Sequence, residues 1–473
     1  MGEQASATAA LAVTRFGLGA RPGEIDEAAA DPRGWLAAQI RREGAEQPEG
    51  QWPGAQDRLQ ALARFRDQVR AMRAEFGLPA RNGVSPASGA AGLQEKFQAA
   101  RRAANKALED AALGEILARG RLAAATPAGF RERWALFWSN HFTVGRKDEA
   151  TQLLAPVFER EAIRPHVFGR FGDLLAAAVT HQAMLHYLDQ PRSAGPDSAA
   201  GQRRGIGLNE NLAREVLELH TVGPDAGYSQ GDVTEFARAL TGYSIANGRD
   251  DGFGAPLFRA NFHEPGLRVV MGRSYAQDGA EQARAILTDL AANPATARHL
   301  ARKIAAHFVA DMPPPTLVAR LEAAYRAGDG DLAQVAAALI AAPEAWEHDP
   351  GKLKTPYEFI VSGWRAVGLQ PSDAHGDFVA PLTGMGMRPF SAPQPNGWSD
   401  EASVWGGPDG LVKRLHWSQA FADANGAGSD PEEAARQALG ARLTPAAARA
   451  VARAESRAEG FALLLMTPEF QRR

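Results

Sequence analysis

Apolar residues recur three and four positions apart along most of this chain, the spacing of one helix face. "GWLAAQIRREG" (34–44), "DRLQALARFRDQVRAMRAEFG" (57–77) and "LQEKFQAARRAANKALEDAALGEILARG" (93–120) all carry it. Between the last two lies "LPARNGVSPASGAAG" (78–92), whose Gly, Ser and Pro residues predict a linker. In the third helix Arg101, Arg102 and Lys106 are followed by Glu109 and Asp110, so a solvated face explains the basic run better than a docking patch. "FGDLLAAAVTHQAMLHYLD" (171–189) reads as one further helix.

Capping residues set several helix starts. Thr126 followed by Pro127 predicts a start for "TPAGFRERWALFWSNHFTVG" (126–145). Ser229 with Asp232, and Thr355 with Glu358, have the spacing of capping boxes, and Asn293-Pro294 opens another helix. Gly242 marks a stop. The best extended signal is "APLFRANFHEPGLRVVMG" (255–272), two short runs around Glu264-Pro265-Gly266, which predicts a small β-hairpin. "QPRSAGPDSAAGQRRGIG" (190–207) and "RPFSAPQPNGWSDEASVWGG" (388–407) read as long loops. No fixed-period repeat appears. The expected fold is mainly α: a large multi-helix unit with one small β-hairpin. Its regions are an N-terminal helical part (1–125), a central block with the motif cluster and hairpin (126–345) and a C-terminal helical part (346–473).

Composition removes several classes of function. The 473 residues contain no cysteine, which excludes disulfides, thiolate metal sites and cysteine nucleophiles. A formal charge of −3 gives no global electrostatic case for nucleic acid. No run of about 18 apolar residues predicts a membrane span. The start, "MGEQASATAALAVTRFGLG", lacks a basic segment followed by a long apolar run, so the expectation leans to the cytoplasm. There is no HExxH, G-x-S-x-G, P-loop or dinucleotide fingerprint. "FGLGARPGE" precedes no strand–helix unit and reads as a turn before a helix.

The densest polar cluster is "NENLAREVLELHTVG" (209–223). At about 100° per residue, Asn211, Glu215 and Glu218 share one stripe, flanked by Arg214 and Glu210. His220 falls in the opposite, apolar arc, so one straight helix cannot aim it at the same ligand as the two carboxylates. The stripe is either a face of i,i+4 ion pairs or a carboxylate site for acid/base work or a divalent metal. His141 also lies on an aromatic face, with Phe130, Trp134 and Trp138. His141, His220 and His263 could therefore meet as metal ligands in a pocket between helices, or each be a core histidine. Asn209, Glu210, Asn211, Arg214 and the loop residues Arg203 and Arg204 are candidate ligand contacts, the arginines for phosphate or sulfate. Trp398 is a candidate stacking platform for a sugar or peptide. Glu215, Glu218, His220 and His141 are the candidate catalytic groups. His307, His181 and His186 read as packing.

Eight stretches occur in the order of one bacterial family: "RFGLGARPGE", "FWSNHFTVG", "NENLAREVLELHTVG", "YSQGDVTEFARALTGY", "FHEPG", "PATARHLARKIAAHFVAD", "KTPYEFIVSGWRAVG" and "RPFSAPQPNGWSD". The chain thus resembles domain of unknown function 1800 over nearly its whole length. The resemblance implies a large, mostly helical protein and no established activity. It implies a companion, a sulfatase- or phosphatase-like protein of domain of unknown function 1501. Many relatives are exported, which makes the periplasm the alternative location. Two functional expectations follow. One is an enzyme-like or ligand-binding pocket between the central helices, with or without a divalent metal. The other is a non-catalytic helical partner of that companion.

Overall fold

The computed structural model describes residues 2–77, 91–347, 352–428 and 430–473. The linker expected at 78–92 lies almost wholly outside the described residues; Ala91 and Gly92 already belong to a helix. The long helices are α1 (Ala55–Glu75), α2 (Ala91–Ala125) and α3 (Gly129–His141). Next come α4 (Glu149–Phe158), α5 (Phe171–Thr180), α6 (Gln182–Tyr187), α7 (Asn211–Glu215) and α8 (Gln230–Leu240). The later helices are α9 (Ala280–Ala292), α10 (Pro294–Phe308), α11 (Pro356–Ala366) and α12 (Pro408–Asn425). The fold is mainly α, with two small antiparallel two-stranded sheets among the described residues. None of the described helices is long and apolar enough to cross a membrane.

The capping boxes form as expected. Ser229 caps α8 with Asp232, and Thr355 caps α11 with Glu358. Asn293 accepts from Ala295 N at the start of α10. Gly242 ends the α8 segment at φ 97°, a left-handed conformation that glycine adopts without the Cβ penalty.

Elsewhere tertiary contacts override the pattern. α3 starts at Gly129 rather than Pro127, because Thr126 Oγ1 is taken by Ala128 N and the first turn is capped from afar by Gln39 Oε1, which accepts from Phe130 N at 2.9 Å. That use of Gln39 fits the early end of the helix expected over 34–44, which runs only Pro32–Ala37. The helix expected over 171–189 breaks at His181, which turns extended and accepts from Ala183 N to start α6. The stretch 190–207 is not one loop. It holds a 3₁₀ turn, Gln190–Arg192, and a short helix, Ala199–Arg204, capped by Ser198.

The extended segment is also rearranged. β1 (Tyr243–Ile245) pairs with β2 (Pro256–Phe258), and β3 (Arg268–Val270) pairs with β4 (Arg273–Tyr275). The tight hairpin therefore turns at Met271-Gly272, both at positive φ (48° and 76°) as a type I′ turn requires, and not at Glu264-Pro265-Gly266.

α3 runs through the centre of the largest core cluster. Trp134 and Trp138 are 0% exposed, and Trp134 stacks on Phe168 at 6.0 Å while donating its indole N–H to Val167 O. A second cluster gathers α11, α12 and the C-terminal helices, with Leu18, Ala123 and Ala124 from the N-terminal part. Arg365 fastens the parts together. Its guanidinium donates to Gly19 O, Ala123 O, Thr126 O and both carboxylate oxygens of Glu24, and both side chains are fully buried.

Candidate functional site

The polar motif at 209–223 folds as α7 followed by a π-helical turn, Val216–His220. Glu210, at the edge of its acidic side, is held by hydrogen bonds from its neighbours. Glu210 accepts from Thr234 (2.7 Å), Gln230 (2.7 Å) and Arg214 (3.3 Å), and the Thr234 bond leads in holding its carboxyl below the ordinary value. Asn209 donates to Leu188 O and receives Asn211 N, so it shapes the turn. Glu215 is raised above its ordinary value, first by burial and then by Glu218. Arg203 is exposed and donates back to Ala199 O, while the Arg204 side chain lies outside the described residues.

His220 points inward, as its helical position predicts, and is 1% exposed. Its ring lies 5.9 Å from that of His141. His141 Nε2 sits 3.2 Å from His220 O. A carbonyl only accepts, so that nitrogen carries the proton. His141 Nδ1 and both His220 ring nitrogens have no hydrogen-bond partner among the described residues. Burial pulls His220 down to about 3, and it pulls His141 well below its ordinary value. Both rings are therefore neutral at pH 7.

His263 does not join this pair. Its Nδ1 bonds to Thr241 O at 2.9 Å, and its ring packs on Phe258. Among the described residues no group of three or more histidine, aspartate or glutamate side chains could hold a metal ion. The three-histidine set is thus not assembled: the Thr241 carbonyl holds His263 in a separate contact.

What the structure does assemble is a cleft of about 100 Å³ between α3, α10, α11 and the 387–400 segment. Its apolar wall includes Leu136, Val144, Met387, Phe390, Ala392 and Trp398. Its polar groups come from five separated stretches. His307 Nδ1 bonds to Asp400 Oδ1 at 2.9 Å. The carboxylate accepts, so Nδ1 holds the proton, and Nε2 is left to accept from Arg133 Nε at 3.3 Å. Arg133 also donates to Gly17 O (3.1 Å) and pairs with Glu358 Oε1 (3.1 Å), which Arg473 shares. Burial draws Arg133 down to about 9. Asp400 is held far below the ordinary carboxylate range despite its burial, chiefly by His307, with Lys352 and Arg133 adding to the effect.

Asn140 positions the loop. Its side chain donates to Trp398 O (2.9 Å) and accepts from Trp398 N (2.8 Å), tying the end of α3 to the tryptophan's backbone. Lys303 lies one helical turn from both His299 and His307 on α10. It has no ion pair or hydrogen bond among the described residues, and burial lowers it to about 8.

Of the candidate site residues read from sequence, only Trp398 lines this cleft. His141 is next to Asn140 in the chain but faces the core. Asp400, His307, Arg133 and Asn140 carry the cleft's polar chemistry and were not read as a site. One signal was present for Arg133: a cation on a helix otherwise full of buried aromatics has to be paired. Asp400 gave none, being one acidic residue in a polar loop.

No curated protein and no solved structure matches this chain. The model of the family described as "Protein of unknown function (DUF1800)" matches residues 11–472, nearly the whole length, and the chain belongs to that family.

Proposed function

We propose that this protein binds a small organic molecule in the cleft between α3, α10, α11 and the 387–400 segment. The observation that carries the reading is convergence. Arg133, Asn140, His307, Glu358 and Asp400, from four of the stretches noted above, meet around one mainly apolar cavity. Apolar walls with a few fixed polar groups are the usual build of a ligand site. The His307 ring is held by Asp400 on one side and Arg133 on the other, so it orients its neighbours rather than serving as a free base. The geometry supports binding, and among the described residues it offers no three-donor set for the divalent-metal version.

The test is ligand-observed NMR with a fragment library on the full chain and on Met387→Trp, which fills the cleft from its edge. Fragments that bind the native chain and are lost in Met387→Trp support the reading. Equal binding to both, or no hits, removes it.

The partner reading has its own observation. α12 exposes Leu411, Val412 and Leu415, and Val404 lies nearby in sequence, each 42–54% exposed. Apolar side chains exposed at this spacing on one helix are the build of a docking face. If the companion of domain of unknown function 1501 docks there, the two proteins co-elute in gel filtration and Leu411→Glu/Leu415→Glu separates them. Separate elution of the native pair rejects this reading.

A further inference from the structure

Two polar groups of the cleft have capacity left over. Arg119, on α2, commits Nε to both oxygens of Glu159, at 2.9 Å each. Its guanidinium lies against two aromatic rings, 4.7 Å from the centre of Tyr357 and 5.0 Å from that of Phe390. Its terminal Nη groups have no hydrogen-bond partner among the described residues, and the side chain lines the cleft. Tyr357 lines the same cleft. It is 7% exposed, and its hydroxyl has no partner among the described residues. A buried hydroxyl left unpaired is destabilising, so an incoming acceptor would recover that loss.

We propose that Arg119 and Tyr357 receive the carboxylate of a small monoacid whose apolar body lies against Met387, Phe390 and Trp398. This rests on the binding reading above and names its ligand class. A guanidinium edge offers parallel donors that match the two oxygens of a carboxylate. The two ring contacts and the bonds to Glu159 restrain that edge, and the Tyr357 hydroxyl adds a third donor. A dianion fits poorly. The Arg119 charge is already offset by Glu159, which Arg164 and Ser139 also engage. Asp400 lines the same cleft and disfavours a second negative group. Apolar walls then select a branched alkyl or aryl body over a polar one.

The test is calorimetric titration of the full chain with phenylacetate, benzoate and isovalerate, their amides, succinate and inorganic phosphate. The expected result is that at least one monoacid binds tenfold or more tightly than its amide, with succinate and phosphate weaker still. Tyr357→Phe keeps the ring and its stacking, so it should fold normally and shrink the acid–amide ratio about threefold or more. Arg119→Gln should erase the ratio. If Arg119→Gln fails to fold, the Tyr357→Phe ratio decides alone. Amides that bind as tightly as acids, or a preference for phosphate or succinate, with binding still blocked by Met387→Trp, would overturn the monoacid proposal and leave the cleft as a ligand site. No binding by any member would overturn both.

Discussion

His220 is a neutral ring in a dry core, and that choice is measurable. Its folded value is about 3, against about 6.5 for a free histidine. A lowered folded value means the unfolded chain takes up the proton first. Stability is therefore intact above about 6.5 and falls as pH drops toward 3, at about 1.4 kcal/mol per pH unit. Between pH 7 and 5 the loss from His220 alone is about 2 kcal/mol, and His299, lowered to about 4, acts in the same direction. Urea unfolding at pH 7, 6 and 5 should show this slope. His220→Leu should flatten it by about that amount and cost little at pH 7, because it removes two unpartnered nitrogens at similar volume. A slope unchanged in the variant would mean the ring is satisfied by something else. Glu159 works further down. Its folded value of about 2 reflects Arg119 and Arg164 outweighing burial, so its contribution is present above about 4.3 and lost as pH falls to 2. The inward aim of His220 was legible from spacing alone. Its lack of a partner was not, since that depends on which carbonyl His141 reaches.

At the scale of elements, the cleft depends on one asparagine. Asn140→Ala removes both bonds to the Trp398 backbone while leaving α3 intact. Hydrogen exchange over 393–400 should then accelerate about tenfold or more, with a stability loss of about 1–3 kcal/mol. Unchanged protection would show that packing of Trp398 against Trp405, 6.0 Å away, holds the loop unaided. Gly397 is fixed by the same contact. It sits at φ 82°, and a Cβ there would lie 2.5 Å from Asn140 O. Gly397→Ala should therefore displace the loop as Asn140→Ala does. Helix starts set by local caps, at Ser229, Asn293 and Thr355, were readable from a few residues. Breaks were not. Apolar spacing continues straight through His181, and nothing in 216–220 announces a π turn. Two of the four strands, β2 and β3, fall inside the expected segment, but each pairs with a strand outside it, because period-2 runs do not say which neighbour they join.

Across the whole molecule, the N-terminal and C-terminal parts are joined by buried charge. Removing one member of a buried pair costs about 3–5 kcal/mol, because the other is left uncompensated. Arg365→Ala leaves Glu24 with Arg21 alone, its Nε 3.7 Å away, and frees three carbonyls, so it should lower the melting temperature by several degrees or more. Glu24→Leu with Arg365→Met should recover most of that loss. A single variant that melts like the native chain would show that the parts are not coupled through this contact. The family and the helical class were legible because their signals are local and repeated. The cleft was not. Asp400 and His307 stand 93 residues apart, and Arg133 and His307 174. No window of sequence holds two of these side chains together.

Occupancy of the cleft by a ligand can be read from the nine tryptophans. Trp398 lines the cleft, whereas Trp134 and Trp138 are sealed in the core. In a ¹H–¹⁵N spectrum of the indole N–H groups, titration with a fragment that binds should move the Trp398 resonance and leave those of Trp134 and Trp138 in place, with no movement in Met387→Trp. A bound fragment that leaves Trp398 unmoved while shifting other indoles would contradict the account.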